Sequence, residues 1–323
     1  MFIPGTCRSS DLDLAMRRSL ADSLQYVHSV AGRSLDIAQD RLDRTKADII
    51  AHRLRPGVFG RYYQLVIAIE QDERERARNA FDQLASLASR PADLSINPFT
   101  KDGLGDDFAL YDELIDQSKN AVPWVVPLQA GHGANISANV REALDIIESI
   151  DPNLAEEIRG LVVEIVGASA YQGPGARLAG SGSSMMLWGL VVFNADRYAT
   201  VDQVVDVLVH EAAHLLLFAH TVDGPLVKNP ADKLYPSPLR LDERPMDGVL
   251  HATFVTARRY YFNRLMQNAS EAWAPGSAAL AERRAKLKQL YDDGIGVIRE
   301  HGELTPMGRS VVDEMCDYMN AAR

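Results

Sequence analysis

One stretch of this chain constrains its fold more than any other. Val204, Val205, Val207, Leu208 and Val209 lead into His210-Glu211-Ala212-Ala213-His214, and Leu215, Leu216, Leu217 and Phe218 follow. Thr200 stands before the run as an N-cap, with Gln203 at the third helical position, the pattern of a capping box. A helix over residues 201 to about 219 follows, and one that is apolar on nearly every face must be buried. It nevertheless carries two imidazoles and a carboxylate. His210 and His214 are four residues apart, so they lie on one face of the helix. Burying them with Glu211 is costly unless they are paired or bound to a metal. The stretch therefore demands a large core and points to a metal held by His210 and His214.

Glu211 sits about 100° around the helix from His210. In zinc peptidases, a Glu at that place acts as general base on a metal-bound water. Two histidines compete as third ligand. His220 follows His214 at the metzincin spacing, but Leu217 stands where that pattern needs a chain-turning Gly. A helix that continues through Leu217 aims His220 away, which favours His251 on the next helical stretch. Asp247, four residues before His251, shares its face and is read as orienting it, with direct ligation the alternative.

The rest of the chain is built around that helix. With 323 residues and 46% hydrophobic content, the chain has ample material for a core. Residues 10 to about 90 repeat apolar side chains at helical spacing, interrupted at Pro56, Gly57 and Gly60. Strands are expected at 161–166 and 185–193, and helices at 140–150, 244–266, 278–300 and after Pro306. Arg244-Pro245 reads as the opening of the second ligand helix. Within the Gly- and Ser-rich stretch 173–184, Ser181-Gly182-Ser183-Ser184 reads as a flexible turn, with lining of the cleft the alternative, and Trp188 reads as a core residue, with substrate stacking the alternative. The fold expected is α+β and mostly helical: a zincin-like core of one metal-binding helix plus a small β-sheet, preceded by an N-terminal helical region. The division is placed at 1–120 and 121–323, with one continuous domain as the alternative.

A formal net charge of -10 disfavours nucleic acid and anionic membranes as partners. Two isolated cysteines, Cys7 and Cys316, exclude a disulfide scaffold and a Cys-rich zinc site. No basic-then-apolar leader opens the sequence, and no apolar run approaches the roughly 20 residues that span a bilayer. A cytoplasmic location is expected.

Three segments together resemble a known family. They are Leu208-Val209-His210-Glu211-Ala212-Ala213-His214, Ser237-Pro238-Leu239-Arg240-Leu241-Asp242-Glu243-Arg244-Pro245 and Gly248-Val249-Leu250-His251-Ala252-Thr253-Phe254-Val255. The combination resembles the HExxH-motif peptide-modification family, which accompanies ribosomally made peptides and has been reinterpreted as iron(II)- and 2-oxoglutarate-dependent peptide β-hydroxylases. The resemblance implies Fe(II) at His210, His214 and His251, with 2-oxoglutarate and O₂ as cosubstrates and a ribosomal precursor peptide as substrate. Three protein ligands leave positions free for the keto acid and O₂. Most such enzymes use two His and one carboxylate, so a three-His set departs from the rule. Glu211 would then contact a metal-bound water or the cosubstrate. The distal carboxylate of 2-oxoglutarate calls for a cation, and Arg240, Arg244 and Arg258 are the candidates. Arg259 points elsewhere on the helical wheel. A zinc metallopeptidase using the same three histidines and Glu211 is the alternative. A structural metal site fits less well, because such sites are closed by four ligands.

Overall fold

A computed structural model describes residues 2–5, 8–115, 124–129, 135–174, 180–239, 242–269 and 277–322. The chain divides into two compact units, each assembled from separate stretches of sequence. One holds residues 9–140 and 159–199; the other holds 1–8, 141–158 and 200–323. Neither coincides with a division at residue 120, because the chain passes from one unit to the other inside three helices and again at residues 199–200.

The first unit opens with four helices, α1 (Arg8–Ala31), α2 (Gln39–Ala51), α3 (Pro56–Glu70) and α4 (Arg74–Ala88). Their apolar spacing becomes buried faces: Leu20 and Leu24 on α1, Phe81 and Leu84 on α4. Pro56 does not interrupt a helix as expected; it begins α3, where its missing N–H needs no partner. Gly57 and Gly60 lie within α3. A Cβ at Gly57 would meet the carboxylate of Asp107, and one at Gly60 would meet Leu110 and Leu187.

The sheet of this unit comes next in the chain. The elements in chain order are β1 (Ser95–Pro98), α5 (Lys101–Leu104), α6 (Asp107–Ile115), β2 (Val125–Val126), α7 (Ile136–Ile150), α8 (Pro152–Leu161), β3 (Glu164–Ala170), β4 (Ser181–Ser183) and β5 (Leu190–Asn194), and residues 141–158 of α7 and α8 belong to the other unit. The strand order is β1-β3-β5-β4, with β2 also on β3. β1, β3 and β5 run parallel, and β4 is antiparallel to β5. The expected strands are shifted. Leu161 still belongs to α8, and β3 starts at Glu164. Met185–Leu187 forms a single 3-10 turn, and Gly189 at φ 85° redirects the chain into β5. Ser181–Ser183, read from sequence as a turn, pairs with β5 as β4.

Every residue of β5 is buried, and so is every residue of β3 except the last. That agrees with a parallel sheet covered on both faces. Glu164 is their one charged residue. It is 1% exposed and accepts from Tyr111 Oη at 2.6 Å and Asn97 Nδ2 at 2.7 Å, with Arg55 at 3.6 Å. Burial, and then the neighbouring Glu164, push the Tyr111 phenol well above its ordinary pKa. Trp188 is fully buried and donates Nε1 to Asp13 Oδ1 at 3.0 Å, the core role expected of it.

The second unit contains α9 (Val201–Ala219), β6 (Leu234–Tyr235), β7 (Arg244–Pro245), α10 (Met246–Ala269), α11 (Ser277–His301) and α12 (Pro306–Ala321). The capping box forms at the start of α9, with Thr200 N donating to Gln203 Oε1 at 3.2 Å. Arg244-Pro245 does not open a helix. It pairs with Leu234-Tyr235 as a short antiparallel ladder, and α10 starts one residue later. Proline is tolerated there because an edge strand needs no N–H from it. α10 buries Val249, Leu250, Phe254, Val255 and Phe262, so it has no wholly solvated face. α11 comes close to it at Gly294, where a Cβ would collide with Thr253 Oγ1.

The fold is therefore α+β and mostly helical. The sheet lies in one unit and α9 in the other. No helix among the described residues is long and apolar enough to cross a membrane. Tyr111→Phe removes a donor from a buried carboxylate and is expected to cost about 1–3 kcal/mol. Urea unfolding measures it; an unchanged midpoint would show that Glu164 does not depend on the phenol.

Candidate metal centre

α9 and α10 bring three imidazoles together. His210 and His214 are one turn apart on α9, with ring centres 5.0 Å apart. His251, on α10, stacks on His214 at 5.4 Å with an interplanar angle of 18°. The Nδ1 atoms of His214 and His251 are 3.2 Å apart. Phe218, one turn beyond His214, closes one side, 5.1 Å from the His251 ring. The cluster is thus the junction of two apolar helices, and the i, i+4 spacing legible in the sequence supplies two of its three members.

Electrostatics favour uncharged rings throughout. Burial, helped by the Arg259 guanidinium and opposed by Asp206, pushes the His210 pKa down to about 4. Burial and its two histidine neighbours hold His214 well below the usual imidazole range. Burial lowers His251 against the opposing carboxylate of Asp247. A neutral imidazole has the lone pair that binds a metal.

The residues fit a metal in part. Two imidazole nitrogens that share one ion at about 2.0–2.1 Å each sit about 3.0–3.4 Å apart, which the His214–His251 pair matches. As they stand, no three His, Cys, Asp or Glu donors among the described residues converge on one point. His210 instead presents Nε2 toward Glu211 Oε1 at 3.7 Å. Histidine χ2 has a broad torsional profile, so turning that ring to join the pair is a small adjustment.

The other residues singled out in the sequence take varied places. Glu211 is fully buried beside His210. Asp247 is half-exposed, with Oδ2 4.0 Å from His251 Nε2, on the ring edge opposite the His214 contact. That is beyond hydrogen-bond reach. His220 caps α9, which does continue through Leu217. Its neighbours in charge are Arg8, the N-terminus, Glu157 and Glu314, so it stands outside the cluster. Arg244 pairs with Asp242 at 2.6 Å. Arg240 and Cys7 lie outside the described residues.

Arg258 and Arg259 are both held by carboxylates. Arg258 is 1% exposed, ion-paired with Glu157 and bonded to Phe2 O, with the Phe2 and Tyr261 rings 6.0 Å from its guanidinium. The i+7 spacing from His251 put it near the right face, but a buried carboxylate claims it. Arg259 holds Asp206 in a two-pronged pair, Nε to Oδ1 at 2.9 Å and Nη2 to Oδ2 at 2.5 Å. Asp206 is one turn before His210, so Arg259 is the cation beside the cluster. Its signal in the sequence was Asp206 at i−4 from His210, a buried acid that needs a base.

Arg258→Ala leaves Glu157 buried without this partner and is expected to destabilise the protein by about 3–5 kcal/mol, read as a fall in the urea midpoint. A cosubstrate ligand would instead leave the midpoint of the free protein unmoved. Comparison with known proteins finds no family pattern that matches this chain and no curated protein similar to it.

Proposed function

We propose that this protein is an Fe(II)- and 2-oxoglutarate-dependent hydroxylase that modifies a side chain of a ribosomally synthesised precursor peptide. The observation that carries the reading is the cluster of His210, His214 and His251, all held neutral where α9 meets α10. Three such donors leave the remaining positions of an iron for a keto acid and O₂. The resemblance of residues 208–255 to peptide-modifying proteins supplies the substrate class. A zincin-like core is part of the same proposal.

Fe(II), when bound, supplies the oxidising chemistry. The balance is one C–H converted to C–OH with one oxygen atom of O₂, while 2-oxoglutarate loses CO₂ and takes the other oxygen as succinate. The protein's own residues hold and orient. His210, His214 and His251 would hold the metal, and Asp247 would fix the His251 ring. Phe218 keeps water from one side of the cluster. Arg244, whose Nε is buried with no hydrogen-bond partner among the described residues, is the described candidate for the distal carboxylate of 2-oxoglutarate.

The zinc peptidase is the second reading. It requires Glu211 to take a proton from water beside a scissile peptide bond. Glu211 is 0% exposed, which argues for a supporting contact within the core.

The two readings separate in one assay. The protein, loaded with Fe(II) without oxygen, is mixed with 2-oxoglutarate and precursor peptide before O₂ is admitted. The expected product is the peptide heavier by one oxygen, formed with an equivalent of succinate. Cleaved peptide with Zn²⁺, independent of 2-oxoglutarate, would establish the peptidase instead. His251→Ala is expected to lose bound iron on gel filtration; full retention would remove His251 from the ligand set.

A further inference from the structure

A second polar site lies beside the histidine cluster, within the same unit. A cleft of about 530 Å³ runs along α9, α10 and α11, walled by Asp206, Arg259, Arg283, Lys286, Pro238 and Leu239. The size is that of a pocket for a small molecule or one extended side chain. Its charges are unevenly matched. Arg259 is fully engaged with Asp206. Arg283 comes only to 3.7 Å from Asp202, a loose contact. Lys286 makes no ion pair among the described residues and is exposed. Two cations therefore face the cleft with their hydrogen-bonding capacity largely open, in a protein whose net charge is -10. One acid, Glu282, stands at the rim.

An independent observation comes from Asn263. This side chain is 3% exposed, and among the described residues neither its amide nitrogen nor its oxygen has a hydrogen-bond partner. Burying an amide this way carries a desolvation cost that no hydrogen bond offsets. Asn263 lines a small void of about 10 Å³ and not the cleft itself, and the two adjoin at Asp206, Arg259 and Arg283. Few natural side chains are left in this state without function.

We propose that the cleft is a carboxylate-binding site, with Arg283 and Lys286 pairing the carboxylate and Asn263 reading a second polar group of the same ligand. The carboxylate can come from a free diacid or from an acidic side chain of a peptide. Arg283 is suited to a two-pronged contact and Lys286 to a point charge. None of the three histidines lines the cleft; its link to the cluster is Asp206, one turn before His210 on α9. The site does not depend on the identity of the metal.

The test is a calorimetric titration of the metal-free full chain with three probes: glutarate, its uncharged diamide, and N-acetyl-glutamate N-methylamide. Glutarate or the glutamate derivative is expected to bind, and the diamide not to bind. Whichever of the two acids binds more tightly identifies the source. Arg283→Ala and Lys286→Ala are each expected to weaken binding at least tenfold, and Glu282→Gln to strengthen it. Asn263→Leu distinguishes recognition from packing: weaker binding with equal or greater thermal stability supports the proposal, and unchanged affinity removes Asn263 from the site. Lys286 is exposed, so its variant should fold normally; far-ultraviolet circular dichroism checks this for all. No binding of either acid by the folded chain, or binding indifferent to both cations, overturns the site. Because no metal or O₂ is present, these outcomes are separate from success or failure of the hydroxylation assay.

Discussion

The structure of the second unit depends on how two apolar helices accommodate three imidazoles. α9 is buried along nearly its whole length, and α10 has no fully solvated face. Every polar side chain on their shared surface must therefore find a partner or remain uncharged. The histidines take the second course. Their basicity falls because desolvation penalises the charged ring, and His210 and His251 lower His214 further. A set of neutral imidazoles in an apolar junction is a poor structural glue and a good ligand set. That asymmetry is the physical reason to read the junction as a metal centre.

Charges that cannot be made neutral are handled by pairing. Arg258 and Arg259 are adjacent on α10 yet face different ways, as successive helical residues must. One turns to Glu157 and the backbone of Phe2, the other to Asp206 on α9. The first pair belongs to the core that supports α10. The second fixes α9 against α10 one turn before His210, and so sets the separation at which His251 meets His214. Breaking a buried pair of this kind is far more harmful than never having built it. The histidine geometry and the ion pairs are thus one arrangement, with position fixed by charges and chemistry left to the rings.

Much of this was legible in the sequence, for identifiable reasons. The apolar run around His210 and His214 has a strong period and a capping box, so α9 was placed within a residue of its ends. His251 was favoured over His220 by one argument, the absence of Gly at 217, and the helix does continue there. Arg244-Pro245 misled because proline suits a helix start and an edge strand alike, and only the pairing with Leu234-Tyr235 decides between them. The parallel strands were shifted because Gly189 and the 3-10 turn before it leave little periodic trace. The partners of Arg258 and Arg259 were not legible because spacing along a helix gives direction but not partners. Glu157 and Asp206 lie 101 and 53 residues away in sequence from the arginines they bind. Asn263 was invisible for a related reason: an unmatched buried amide is a property of its surroundings.

The central claim is that His210, His214 and His251 bind one metal ion together. X-ray absorption at the iron edge, on protein loaded with Fe(II) under anaerobic conditions, tests it most directly. The account predicts three imidazole nitrogens in the first coordination sphere, recognisable by the multiple scattering of their rings. A sphere with only one imidazole, or composed of oxygen donors alone, would contradict it.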